Sequence, residues 1–230
     1  MPDVTFKDLC IDAARPDVVA EFWAAVLGLR LERHEDGDAH LVGPTKQHTV
    51  WVNGVAEAQD VKNRVHLDVR FDDPTVVPGA TAVREPTEDD HWRVLADPDG
   101  LLFCAMGPRE GEPPGAFELI VDSAEPEAIG EWWAARYGVP LQRQEGVGWV
   151  WLEDVPGSPY RYWVFNPVPE PKTVKNRVHW DVLLEGASVE DLVAAGATVV
   201  RAQDEEIGWT VLADPEGNEF CAFTPDPVGD

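Results

Sequence analysis

The sequence predicts an α+β protein made of four βαβββ modules in two tandem copies, with mostly antiparallel curved sheets forming a cavity in each domain. Three repeated blocks carry this reading. EFWAAVLGL at 21–29 returns as EWWAARYGV at 131–139, VKNRVHLDV at 61–69 returns as VKNRVHWDV at 174–182, and 79–100, ending LADPDG, returns as 196–217, ending LADPEG. The blocks keep their order at offsets of 110, 113 and 117 residues, so the unit is about 110 residues long. Copy one spans 1–108, a Gly/Pro-rich linker 109–116, and copy two 117–226.

Each element follows from local signals. FKDLCID (6–12) and FELIVD (117–122) alternate and carry β-branched or aromatic residues, which predicts strands. Residues 16–28 and 126–138 predict helices: Pro16 and Pro126 suit the first helical position, Asp17 and Glu127 the first turn, and Gly28 and Gly138 the C-terminal cap. Short strands follow near 29–34, 39–43 and 48–53, with partners near 139–145, 147–153 and 160–165. A further strand begins after each Lys-Asn-Arg (65–71, 178–184), and three more close copy one near 81–84, 92–96 and 101–106. A short or absent helix is expected after the Lys-Asn-Arg strand; copy two reads SVEDLVAAGA where copy one has DPTVVPGA, and the offset there grows by four residues, close to one helical turn. DPDG (97–100) and DPEG (214–217) are tight turns, with Asp accepting from the backbone, Pro presetting φ and Gly last.

Composition narrows the partners. With 43 acidic and 18 basic side chains the net charge is −25, which repels phosphate backbones and anionic lipid surfaces. Nucleic acid and membrane are therefore excluded as partners. Three scattered cysteines argue against a disulfide framework, and a cytoplasmic location is expected. The acidic field favours a neutral or cationic small molecule over a polyanion.

Paired βαβββ modules, the helix ending FW-x-x-x-LG, the strand VHLDV and the DP-x-G turn resemble the vicinal oxygen chelate superfamily: glyoxalase, bleomycin-resistance proteins and extradiol dioxygenases. The nearest likeness is its glyoxalase-like domain branch, and it covers nearly the whole chain. The resemblance implies either sequestration of a small molecule, as in resistance proteins, or metal-dependent lyase, isomerase or dioxygenase chemistry. Metal-dependent members hold a divalent ion with His, Gln and Glu from first and last module strands. Here the second-module histidines are His66 and His179, and strand alternation puts His179 and Asp181 on one face, opposite Trp180 and Val182. The first-strand positions are Asp8 and Glu118, and the last-strand Glu is replaced by Cys104 and Cys221.

That departure favours metal-free binding. The alternative uses Glu118 and His179 as ligands to Fe, Mn, Ni or Zn, with His179 and Asp181 as the catalytic pair. Ligand contacts are expected from the aromatic pairs Trp149/Trp151 and Tyr160/Tyr162, from Arg177 as a carboxylate partner, and from Cys221 and His66. Trp51/Trp163 and Trp23/Trp133 match between copies and are expected to be scaffold. Two domains in one chain favour a monomer over a homodimer.

Overall fold

The structure, a computed structural model, describes residues 1–35, 37–56, 61–88 and 90–225; the expected end of copy two at residue 226 lies outside them. The first module is β1 (Val4–Ala13), α1 (Pro16–Leu27), β2 (Arg30–Arg33), β3 (Ala39–Val42) and β4 (Val50–Gly54). The second is β5 (Val65–Arg70), β6 (Thr81–Arg84), β7 (Arg93–Ala96) and β8 (Leu102–Met106), with no helix among its described residues. The third is β9 (Gly115–Ser123), α2 (Pro126–Tyr137), β10 (Leu141–Gln142), β11 (Val150–Glu153) and β12 (Tyr162–Pro167). The fourth is β13 (Val178–Leu184), α3 (Val189–Ala194), β14 (Thr198–Arg201), β15 (Thr210–Ala213) and β16 (Glu219–Phe223). Both long helices start on their prolines and end on left-handed Gly28 and Gly138. The copy-two insertion folds as α3, closed by a Ser188–Asp191 capping box.

The modules pair across the copies. One open eight-stranded sheet runs β14-β15-β16-β13-β1-β4-β3-β2, joining the first module to the fourth; the other runs β10-β11-β12-β9-β5-β8-β7-β6, joining the third to the second. The central seams, β1 with β13 and β5 with β9, are antiparallel, while β1–β4, β13–β16, β5–β8 and β9–β12 are parallel.

Aromatic rings fill the core between sheets and helices. Trp133 is fully buried and packs on Tyr137, Trp163, Trp180 and Phe220. Its indole donates to Asp214 Oδ2 of the DPEG turn at 3.0 Å, and Trp23 makes the same bond to Asp97 of DPDG. The helix tryptophans are thus scaffold in both copies, and they anchor the turn that precedes each copy's last strand. Trp51 and Trp163 are not equivalent. Leu9 pairs with Val50 and Leu119 with Trp163, so Trp163 faces the core while Trp51 faces the other side of its sheet, opposite Cys10.

Candidate functional site

On each sheet, the face turned from the helices carries a cluster built at the central seam. In the first sheet Asp8 lies opposite Asp181, Cys10 opposite His179, and Asp181 beside Cys221. In the second, Glu118 lies opposite Asp68, Ile120 opposite His66, and Asp68 beside Cys104. Alternation along each strand sends these side chains to one face while Leu9, Ile11, Trp180 and Val182 enter the core. Because each seam joins the two copies, every cluster takes residues from both.

Glu118 and His179 therefore do not form a ligand set: Glu118 belongs to the second sheet and His179 to the first. Modules within one copy do not share a sheet, and that separates the two residues. The sets brought together are Cys10, His179 and Asp181, and His66, Asp68 and Cys104, each with its ligand atoms within 4.8 Å of one another.

Burial sets the protonation of both clusters. It raises the Asp181 carboxyl well above its ordinary range, and the charge of Asp8 adds to this. Asp68 is raised well above its range in the same way, by burial and then Glu118. Glu118 is itself raised by burial. Burial lowers His179 and pushes His66 down to about 4, so both rings are neutral at pH 7. Burial likewise raises the thiols of Cys10, Cys104 and Cys221, which stay protonated. Asp181 is thus an acid rather than a base.

The clusters differ in their counter-charge. In the first sheet a register shift between Phe6 and Asp8 brings Lys7 onto the acid pair, with Nζ 2.6 Å from Asp8 and 3.8 Å from Asp181. Burial alone would depress the Lys7 ammonium, but the two carboxyls more than reverse this and raise it. In the second sheet the corresponding residue is Phe117, covered by the guanidinium of Arg70, which is paired with Glu112. His66 Nε2 lies 3.5 Å from Asp68 Oδ1 and 3.8 Å from the Cys104 sulfur.

Beyond Cys10 the first sheet presents a stacked aromatic row. Trp51 lies against His40 with centroids 4.8 Å apart, and His40 against His34 at the same spacing. The Trp51 indole donates to Asp8 at 3.2 Å.

The other expected contacts are dispersed. Trp149 is exposed ahead of β11, and Trp151 lies on β11 in the second sheet, its indole bonded to Glu153. Tyr160 precedes β12 and is buried edge-on against Phe6 of the first sheet, where burial and the nearby Asp8 raise its hydroxyl. Tyr162 opens β12 in the second sheet under Arg161. Glu219, two residues before Cys221 on β16, is held by Lys172 and the Asn176 backbone amide. Arg177 is on neither polar face: it lines a cavity of about 700 Å³ between the copies. Lys7, Cys10, Trp51 and His40 went unrecognised as site residues. Cys10 was the one within reach, two residues from Asp8 on a strand and so on the same face.

Among the described residues, no helix is long and apolar enough to cross a membrane. A family model described as "Glyoxalase-like domain" matches residues 8–106 and again 118–223. No curated protein matches the chain. Similar solved structures include an E144Q mutant of glyoxalase I from Zea mays, with TM-score 0.68, 15% identity, and coverage of 96% of this chain and 94% of that one. Glyoxalase I from Zea mays without that substitution gives TM-score 0.66 at 14% identity, covering 95% and 92%. The cppA protein of Streptococcus pneumoniae TIGR4 gives TM-score 0.52 at 10% identity, covering 94% and 97%. At these identities the likeness is one of fold.

Proposed function

The chain belongs to the glyoxalase-like domain family, carrying that domain twice, and on this premise we propose that it binds a small, planar, neutral or cationic molecule on the polar face of its first sheet. Two buried atoms without hydrogen-bond partners carry the reading: Asp8 Oδ1 and His179 Nδ1, from paired strands of one sheet. An unmade bond at a buried polar atom costs roughly 1–3 kcal/mol, which donors on a ligand would recover. The Trp51–His40–His34 row offers a stacking surface beside them. Lys7 supplies the counter-charge for Asp8 and Asp181, so binding here has no need of a metal. Sequestration without turnover suits such a site. A monomer suffices, because each sheet draws both its halves from one chain.

A second reading rests on the donor set itself. A neutral imidazole, a thiol and a carboxyl within 4.8 Å fit a divalent ion, zinc best among Fe, Mn, Ni and Zn, and His179 Nδ1 has a lone pair to give. Bound there, the ion would act as a Lewis acid on a ligand oxygen, the basis of lyase or isomerase chemistry, whereas dioxygenase chemistry would need redox-active Fe or Mn with O2 in its place. Cys10 and Asp181 would first have to release protons that burial makes them hold, so binding would strengthen with pH.

Elemental analysis of protein purified without added metal, paired with fluorescence titration against a panel of planar aromatic ligands, separates these readings. The expected result is less than a tenth of an equivalent of metal (roughly, for a site without a resident ion) and a ligand response lost in Trp51→Phe and Asp8→Asn. One equivalent of metal that disappears in His179→Ala sinks the metal-free reading. A response unchanged in both variants moves the ligand off this face.

A further inference from the structure

A second site lies where the two copies meet. The cavity of about 700 Å³ is lined by both Lys-Asn-Arg segments and meets the polar faces only through Asp12 and Asp122 at the strand ends, not through the cluster residues themselves. That volume falls within the roughly 300–1,000 Å³ range of small-molecule sites. Its walls follow the internal repeat: Asp12 answers Asp122, Lys62 answers Lys175, and Arg64 answers Arg177. The seam is closed the same way on both sides, with the Asp12 amide donating to Arg177 O and the Asp122 amide to Arg64 O, each at 2.7 Å.

Arginine and lysine are concentrated here. Where the whole protein has 43 acids to 18 bases, the described residues of this lining include four bases and three acids. Each lysine meets an aspartate of the wall: Lys62 lies 2.5 Å from Asp122, and Lys175 pairs with Asp12. Arg64 is held differently. It donates from Nε to the Asp122 carbonyl at 3.1 Å and from Nη1 to the Glu170 carbonyl at 2.6 Å. Carbonyl oxygens orient a guanidinium without cancelling its charge, and three of its five N–H donors remain for an acceptor. Much of the remaining wall is valine and proline.

From this we infer that the inter-copy cavity binds a small organic acid: a carboxylate or equivalent oxyanion held by Arg64, with Arg177 in the same wall and the apolar body of the acid against the valines. The polar face of the first sheet suits the opposite charge class, so the chain holds two sites with separate ligands. Fork-shaped donors read planar oxyanions, and a second arginine from the other copy ties occupancy to the joining of the two.

The test uses the full chain and 1-anilinonaphthalene-8-sulfonate, an aromatic oxyanion, read by fluorescence, with benzoate and benzamide as competitors. Benzoate is expected to displace the probe and benzamide to leave it bound. The double variant Arg64→Gln/Arg177→Gln is expected to weaken the probe by roughly tenfold or more, the loss of charge-assisted bonds. Val174→Trp fills the cavity from a side chain that is 45% exposed, and is expected to abolish binding with the melting temperature preserved. Asp181→Asn is expected to change nothing here. Equal displacement by benzamide, wild-type affinity in both cavity variants, or no probe binding at all would overturn the inference. Loss of the probe in Asp181→Asn would place it on the first sheet instead and overturn it too, while leaving the reading of that face standing.

Discussion

Replacing Trp133 with Phe tests how the helix of copy two is tied to the strand that carries Cys221. Asp214, 2% exposed, receives the Trp133 indole at 3.0 Å together with the amides of Glu216 and Asn218 and the Asn218 side chain. Burial nevertheless raises its carboxyl from 3.8 to about 6, against the pull of these donors. A carboxyl raised in the folded state binds protons more tightly there than in the unfolded chain. Its contribution to stability is therefore complete below pH 3.8 and is lost as pH climbs to about 6. At 1.36 kcal/mol per unit, that loss is about 3 kcal/mol. Removing the indole takes away a donor to the charged form, worth roughly 1.5–3 kcal/mol, and raises the carboxyl further. The smaller ring also loses packing, but equally at all pH values. The variant should thus be more damaged at pH 7.5 than at pH 4.5, by roughly 1.5 kcal/mol or more. Urea denaturation of both proteins at both pH values reads this, and the wild-type subtraction removes the large background from the −25 charge. Equal damage at the two pH values would refute the reasoning.

Two glycines give further checks. Gly130→Ala would place a methyl 2.9 Å from Leu141 and Val150 and 3.3 Å from Phe165, so the usual gain of about 1 kcal/mol from Gly to Ala in a helix should turn into a loss of roughly 1–2 kcal/mol by chemical denaturation. Ala20 stands at the repeat-related position of α1, and its reverse change to Gly should cost roughly 1 kcal/mol as well. Gly157 has φ +82° and a Cβ there would lie 2.3 Å from the Phe6 carbonyl oxygen, so Gly157→Ala should lower stability by roughly 2 kcal/mol or more, read by thermal melting.

Local features were legible in the sequence because they are set by nearby residues. The proline starts and glycine ends of α1 and α2, the two DP-x-G turns and the two-residue alternation that turns His179 and Asp181 away from the core all depend on a few neighbours. Pairing between modules is not local. β5 and β13 carry almost the same residues, VHLDV and VHWDV, so hydrophobic patterning cannot say which of them lies against β1. The ligand pair Glu118 and His179 was separated for that reason. Trp51 and Trp163 were mispaired for a smaller one: loops of unequal length precede β4 and β12, and a one-residue slip in a strand exchanges its two faces.

Cross-copy pairing also explains why the two polar faces need not do the same work. Each begins from the same frame: an acidic residue on the first strand, a histidine and an aspartate on its partner, and a cysteine on the last strand. The differences concentrate on β1 and β9, the strands that carry the acidic residue. Lys7 and Cys10 in the first sheet stand where Phe117 and Ile120 stand in the second. With Lys7, the first acid pair has an ammonium in contact and a thiol beside it, and one carboxylate there can stay charged at the cost of a single paired cation. Without an ammonium in contact, burial raises both carboxyls of the second pair, Asp68 the more strongly, and the nearby cation is spent on Glu112 and on the Phe117 ring. The first face therefore holds a carboxylate–ammonium contact that the second face lacks among the described residues. Neither copy could assemble the first face alone, since Lys7, Asp8 and Cys10 come from one copy and His179, Asp181 and Cys221 from the other.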